Sequence, residues 1–214
     1  MRRSDCERPH MENEMTPDTL EGLLRAIART IVEHADELTA LDQAIGDGDH
    51  GLNMKRGFEH VAGQAAALSQ RPLAEAVTEA GKTLVMTVGG ASGPLYGTFF
   101  MTFGKALPEQ PALRDLAEAF DAAVAAVERR GKSTAGQKTL LDVLVPVQQQ
   151  LRVPGEQLLA RIKQTALHAA DATTPMRAIR GRASFLGERS IGHMDPGARS
   201  CALVIATLCD FLEG

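Results

Sequence analysis

A chain of 214 residues with 44% hydrophobic and 23% charged residues is long enough to bury one core without disulfides. Its net charge of -4 and lack of a long basic run give no footing for nucleic acid. No stretch has transmembrane length or a signal-peptide pattern, so neither membrane nor export is expected and the expected setting is cytoplasmic.

Residues 1–15 are polar and aperiodic and read as a disordered leader; residues 16–214 read as a single domain. With no Trp, one Tyr and 4% aromatic residues, the core must come from Leu, Ile, Val, Ala and Met, a mixture that favours helices. Apolar residues then recur at spacings of three and four. Leu20, Leu23, Leu24, Ile27 and Ile31 mark a first helix, which Thr16 can cap with Pro17 at its first position. Met54, Phe58, Val61 and Ala65 mark a second, and Leu73, Val77, Ala80 and Leu84 a third. A fourth runs from about Pro94 through Phe103, and Leu113, Leu116, Phe120, Val124 and Val127 give a fifth. Leu141, Leu144, Val145 and Leu151 give a sixth, with Pro146 expected to bend it. Leu158, Leu159, Ile162 and Ala166 give a seventh, and Ala198 through Leu212 the eighth, where Cys201 and Cys209 read as small core residues. No alternating strand pattern competes. The fold class is all-α.

The connectors fall into two classes. Those after helices two, four and six, near residues 69–72, 107–111 and 152–155, are short and carry proline. Those after helices one, three, five and seven, at residues 42–53, 89–94, 131–138 and 181–197, are glycine-rich and polar. In an up-and-down antiparallel bundle alternate connectors share an end, so one end is expected to gather the glycines, aspartates, histidines and hydroxyls.

The first polar connector sets Asp42, Asp47 and Asp49 within eight residues, separated by glycines. Converging carboxylates repel unless a cation compensates them, and hard oxygen donors facing open space suit Mg²⁺ shared with a phosphate. An EF-hand loop starting at Asp47 fails, because Gly51, Leu52 and Phe58 stand where Asp or Asn, Gly and Glu are needed. The run Gly46–Gly51 formally matches a dinucleotide fingerprint, but it follows a helix and its carboxylates would repel a bare pyrophosphate. Gly131-Lys132-Ser133 has the tail of a P-loop without its leading glycine, since Ala126 stands there.

Residues 87–94 offer small side chains and free amides at a helix start, an arrangement suited to phosphate. The basic connector 131–138 reads as a mobile lid. Connector 181–197 is too long for a turn; Arg182 in it could neutralise a phosphoryl group in flight, and His193, like His50, could donate to phosphate.

Residues 41–58, 88–101, 136–146 and 181–198, which carry these four connectors, resemble the L subunit of dihydroxyacetone kinases and the C-terminal domain of the single-chain enzymes. The resemblance implies an eight-helix antiparallel barrel with ADP or ATP and two Mg²⁺ ions at one mouth. By position, Asp42, Asp47 and Asp49 would hold the metals, and His50, Gly51, Leu52 and Asn53 would meet phosphates across from Ala91 and Ser92. Gly131 and Leu140 would border adenine and ribose, while Arg182, as the catalytic charge, and Asp195, Pro196 and Gly197 would close the site. Where this chain has Leu140 the family often has Met. The implied partners are a substrate-binding K subunit carrying dihydroxyacetone and a phosphocarrier M subunit of the phosphotransferase system, with a homodimer left open. An ATP-dependent subunit for another short ketose or polyol such as erythrulose, or a non-catalytic ADP-sensing protein, stands as the alternative.

Overall fold

The computed structural model describes residues 15–214, so the expected leader lies outside the described residues except for Met15, which packs part-buried against the core. The described residues form ten α-helices and a 3-10 segment kinked at Gly187, with no strand among them. In order they are α1 (Pro17–Glu33), α2 (Ala35–Ile45), α3 (His50–Gly63), α4 (Ala65–Ser69), α5 (Leu73–Thr87), α6 (Ser92–Ala106), α7 (Leu113–Gly131), α8 (Leu141–Leu151), α9 (Leu158–Ala172), the 3-10 helix (Arg182–Ser190) and α10 (Pro196–Glu213).

The count exceeds the eight that apolar spacing predicts because two long helices are interrupted. His34 ends α1 and starts α2 with φ −97° and ψ 9°, and Gln64 divides α3 from α4 in a similar bridge conformation. Thr16 caps α1 by accepting from the Thr19 amide at 3.1 Å, with Pro17 in the first turn as its fixed φ favours. Pro146 sits within α8 without ending it.

The helices pack in a closed cycle. Contacts run from α1 to α3, α5, α6, α7, α8, α9 and α10 in turn, and α10 returns to α1; α2 lies across α3 and α10. Each helix turns its apolar stripe inward, as the burial of Leu20, Ile31, Met54, Leu84, Val127, Val143, Ala166 and Ala202 records. Phe99, Phe100, Phe103 and Phe120 supply most of the aromatic mass, in edge-to-face pairs with centroids 5.1–6.5 Å apart except for the stacked Phe99–Phe103 pair at 6.1 Å. The cycle encloses an entirely apolar space of about 320 Å³ lined by these stripes. Cys201 and Cys209 are buried thiols, and burial pushes both above the ordinary thiol range, Cys209 to about 11. No helix among the described residues is long and apolar enough to cross a membrane.

Candidate functional site

All four polar connectors line one cleft of about 170 Å³. Each feeds a helix start: His50 opens α3, Ser92 opens α6, Leu140 precedes α8 and Pro196 opens α10, and all four residues line the cleft. Helix N-termini leave amides unpaired and carry the positive end of the backbone dipole, so four of them facing one space favour an anion.

Against them stand the aspartates. Asp42 lies on the last turn of α2, buried, where its Oδ2 accepts from the amides of Asp49 at 2.9 Å and His50 at 3.1 Å. Asp47 and Asp49 are exposed, and one ligand oxygen from each of the three lies within 4.8 Å of the others. At that separation and an effective dielectric near 20, each pair of carboxylates repels by roughly 3–4 kcal/mol. The one cationic contact, Arg182 to Asp47 at 2.7 Å, is 67% exposed on the arginine side and offsets less than ~1 kcal/mol. Three hard oxygen donors so placed fit a divalent ion.

Two glycines make this geometry attainable. The α3 start presses so close to α2 that a Cβ at Gly51 would run into the Ala35 carbonyl and the Thr39 hydroxyl. A Cβ at Gly46 would strike the Asp42 carboxylate itself.

Of the residues expected at the site, Asp42, Asp47, Asp49, His50, Asn53, Ala91 and Ser92 line the cleft. Leu140, Arg182, Asp195, Pro196 and Gly197 complete its wall. Gly51, Leu52 and Gly131 do not line it. Gly51 is buried against α2, Leu52 points outward at 63% exposure, and Gly131 ends α7 behind Leu95. Gly51 and Leu52 still fall in the first turn of α3, where only main-chain amides can reach an anion.

His50 is held in a chain of hydroxyls. Its Nε2 lies 2.9 Å from the Ser200 hydroxyl and its Nδ1 3.1 Å from the Ser92 hydroxyl, so both ring nitrogens are engaged. Burial pulls its pKa below the ordinary histidine value, against Asp42 and Asp49, which pull it up. The Tyr96 hydroxyl continues the chain, 2.7 Å from the Ser200 hydroxyl and 3.3 Å from the Gly197 carbonyl. His193 is exposed and lies outside the cleft wall.

Several site residues carry no sequence signal. Tyr96 and Ser200 read as core positions of α6 and α10, and their partners lie 104 and 150 residues away along the chain. Arg56 donates to the Asn53 Oδ1 at 2.9 Å and the Thr87 carbonyl at 2.7 Å, tying α3 to the end of α5; its spacing of three from Asn53 is the only hint. The expected lid is instead pinned. Asp142 accepts from the amides of Thr139, at 2.7 Å, and Gly136, and Lys138 is buried. The final connector is seated by a small apolar cluster of Ile45, Ala178 and Ala183 with Leu186 against it, which carries Arg182 to the aspartates. Asp195 caps α10 through the Ala198 amide at 2.7 Å; enclosure, with Asp142 and Asp42 nearby, pushes its carboxyl up to about 7.

The model of the DAK2 domain matches residues 44–210. The chain belongs to the DAK2-domain family. Among its DAK2 relatives, the ADP-binding subunit DhaL of PEP-dependent dihydroxyacetone kinase 1 from Listeria innocua is 43% identical over 182 residues, covering 85% of this chain and 89% of that one. The ADP-binding subunit DhaL of the Escherichia coli PEP-dependent dihydroxyacetone kinase is also 43% identical, over 81% of this chain and 87% of its own. The crystal structure of the C. freundii dihydroxyacetone kinase in complex with AMP-PNP and Mg²⁺ matches with a TM-score of 0.73 at 25% identity. That match covers 98% of this chain and 38% of the C. freundii chain, so this DAK2 chain corresponds to part of that enzyme.

Proposed function

We propose that this DAK2 chain is the ADP-binding L subunit of a PEP-dependent dihydroxyacetone kinase, acting in the cytoplasm. It would carry a phosphoryl group from a phosphocarrier M subunit, through bound ADP and ATP, to dihydroxyacetone on a separate K subunit. The observation that carries the reading is the carboxylate cluster of Asp42, Asp47 and Asp49, set against four helix N-termini with Arg182 at its edge. Each feature alone is common. Together they supply oxygen ligands for a cation and amides for the phosphates it would share.

Asp42, Asp47 and Asp49 would hold two Mg²⁺ ions, whose contribution is to neutralise charge on the phosphoryl oxygens. The amides of Gly51 and Leu52 and the Ser92 hydroxyl would orient the phosphates, and Leu140, with Leu95, offers apolar contact for the base. Arg182 pairs with Asp47 and is exposed enough to swing onto a phosphoryl group. The base for a substrate hydroxyl would sit on the partner that holds the substrate. Leu52, Met86 and Phe185, 63%, 85% and 89% exposed on elements bordering the cleft, offer apolar area to that partner.

The test is to purify the protein without added nucleotide, denature it and identify what is released. Near-stoichiometric ADP with magnesium is the expected result. A site that is empty yet exchanges ATP freely would instead indicate an ATP-dependent kinase for dihydroxyacetone or another short ketose, and failure to bind any nucleotide with Mg²⁺ would overturn the assignment.

A further inference from the structure

Lys138 is the largest of the fully buried side chains, only 1% exposed. Its Nζ lies 3.0 Å from the carbonyl oxygen of Thr173, 3.4 Å from that of Thr174, 3.1 Å from that of Met176 and 2.8 Å from that of Ser190, and it also meets the carbonyl of His193. Three N–H bonds are thus shared among five main-chain acceptors, the arrangement of a cation in a carbonyl cage. The five acceptors come from three places: the C-cap of α9 and the turn that follows it (Thr173, Thr174 and Met176), Ser190 at the end of the 3-10 segment, and the turn leading into α10. A helix C-terminus presents the negative end of its dipole, so a fixed positive charge suits it.

The side chain enters the cage from a rigid base. Asp142, in the first turn of α8, holds the amides of Gly136 and Thr139 on either side of Lys138, whose backbone adopts a left-handed φ of 62°. The far half of the last connector is also tied by the Asp195 amide on the Thr173 hydroxyl at 3.0 Å and by the Ser190 hydroxyl, which accepts from the Ala178 amide at 2.9 Å. Among the described residues, however, only the ammonium joins Thr173, Ser190 and His193 at one point. The connector's apolar cluster lies near Ala178, Ala183 and Leu186, and its other ties are single bonds such as Gly192 N–H to the Thr174 carbonyl at 2.9 Å. Ser190, whose carbonyl is on the ammonium, ends the second of two 3-10 stretches divided by a kink at Gly187 (φ 58°, ψ −125°). Arg182 begins the first, and Asp195 follows the caged His193 carbonyl by two residues.

We infer that Lys138 is a positioning residue: its ammonium fastens the last connector to the end of α9 and thereby sets where Arg182 and the Asp195–Gly197 turn face the cleft. The effect on phosphoryl transfer rests on the nucleotide reading above; the effect on the connector does not. Removing the charge leaves five buried carbonyl dipoles converging on nothing, and the connector must shift to solvate them.

The experiment compares wild type, K138A and K138M by hydrogen exchange and by phosphoryl transfer in the assembled kinase. Both variants should exchange faster across residues 176–195 while α1, α5 and α7 keep their protection. Propylammonium, which restores the atoms lost in K138A, should restore slow exchange, and the neutral propanol should not. Transfer should fall about 100-fold, as for a displaced catalytic group. In an R182A background K138M should cost much less, because Lys138 acts largely through Arg182. Unchanged exchange in the connector, equal rescue by propanol, loosened exchange with unchanged transfer, full additivity with R182A, or loss of protection throughout both variants would each overturn the inference. Should the wild type bind no Mg·ADP, the nucleotide reading fails, and the exchange data still decide whether Lys138 holds the connector.

Discussion

At one end of the helix cycle the connectors at residues 70–72, 107–112 and 152–157 bring no buried titratable side chain, and their polar ties include the Arg152–Asp121 pair and the Arg161 guanidinium on the carbonyls of Val153 and Glu156. At the other end Asp42, His50, Lys138 and Asp142 are all buried within the four polar connectors or the helix turns that flank them. Burying charge is costly unless it is compensated, so the first end is built for closure and the second spends stability on arrangement. Asp42 is the sharpest instance. It sits at the negative end of α2, where a carboxylate is disfavoured, and is held there by two amides. On the function proposed above, a bound cation would supply the compensation.

The largest expected effect therefore belongs to D42N. The amide keeps an oxygen that can accept from Asp49 and His50, so the loop keeps its shape, while one of three negative charges is lost. Magnesium-dependent ADP affinity should drop at least about 100-fold, some 2.7 kcal/mol, while thermal stability without magnesium stays level or rises. Calorimetric titration with and without Mg²⁺ reads both; an affinity within threefold of wild type would mean that the two ends differ in composition but not in role.

The sequence made the difference between the ends readable because glycine, proline and aspartate act locally: Pro17 and Thr16 start α1, and the spacing of Asp42, Asp47 and Asp49 already confines three carboxylates to one turn. What stayed hidden depends on partners remote in the chain. Lys138 in a basic, glycine-containing stretch reads as a solvated lid residue, as most lysines are, and its cage is assembled from carbonyls 35 to 55 residues away. Tyr96 and Ser200 fall within two helices far apart in sequence, so only the fold, which brings the Tyr96 hydroxyl of α6 to Ser200 of α10 and Ser200 to the α3 start, reveals the hydroxyl chain to His50. The break at His34 was equally silent, since Ala35, Leu38 and Ile45 continue a helical spacing across it.

A smaller effect, in pH, sharpens the comparison. Asp195 keeps its proton up to about pH 7 in the folded chain, whereas an unfolded aspartate releases it near 3.8. Between those values the folded state binds more protons, so this group's contribution makes the magnesium-free protein lose stability as pH rises from about 4 to 7. His50, with a lowered folded pKa, works in the opposite sense below 6.5, so the readable quantity is the difference between wild type and D195N. Asparagine still caps α10, which keeps the substitution conservative. Urea unfolding at pH 5 and pH 8 should show D195N gaining on wild type at the higher pH, and the gap should close when Mg²⁺ and ADP are present.

The smallest expected effect lies at the opposite end. Arg152 donates to Asp121, which also accepts from Gln148 at 2.8 Å, and the arginine side chain is 63% exposed. A solvent-screened pair of this kind is worth roughly 0.5 kcal/mol, and Gln148 remains to satisfy the carboxylate when the arginine is removed. R152A should therefore shift the unfolding midpoint by little, leave ADP affinity untouched, and lose even its small effect in high salt. A nucleotide-affinity change in R152A measured beside D42N would mean that the packed helices transmit strain from the closing end to the cleft. Its absence would show that the apolar cycle between them isolates the two ends, so that the carboxylate end can be altered on its own.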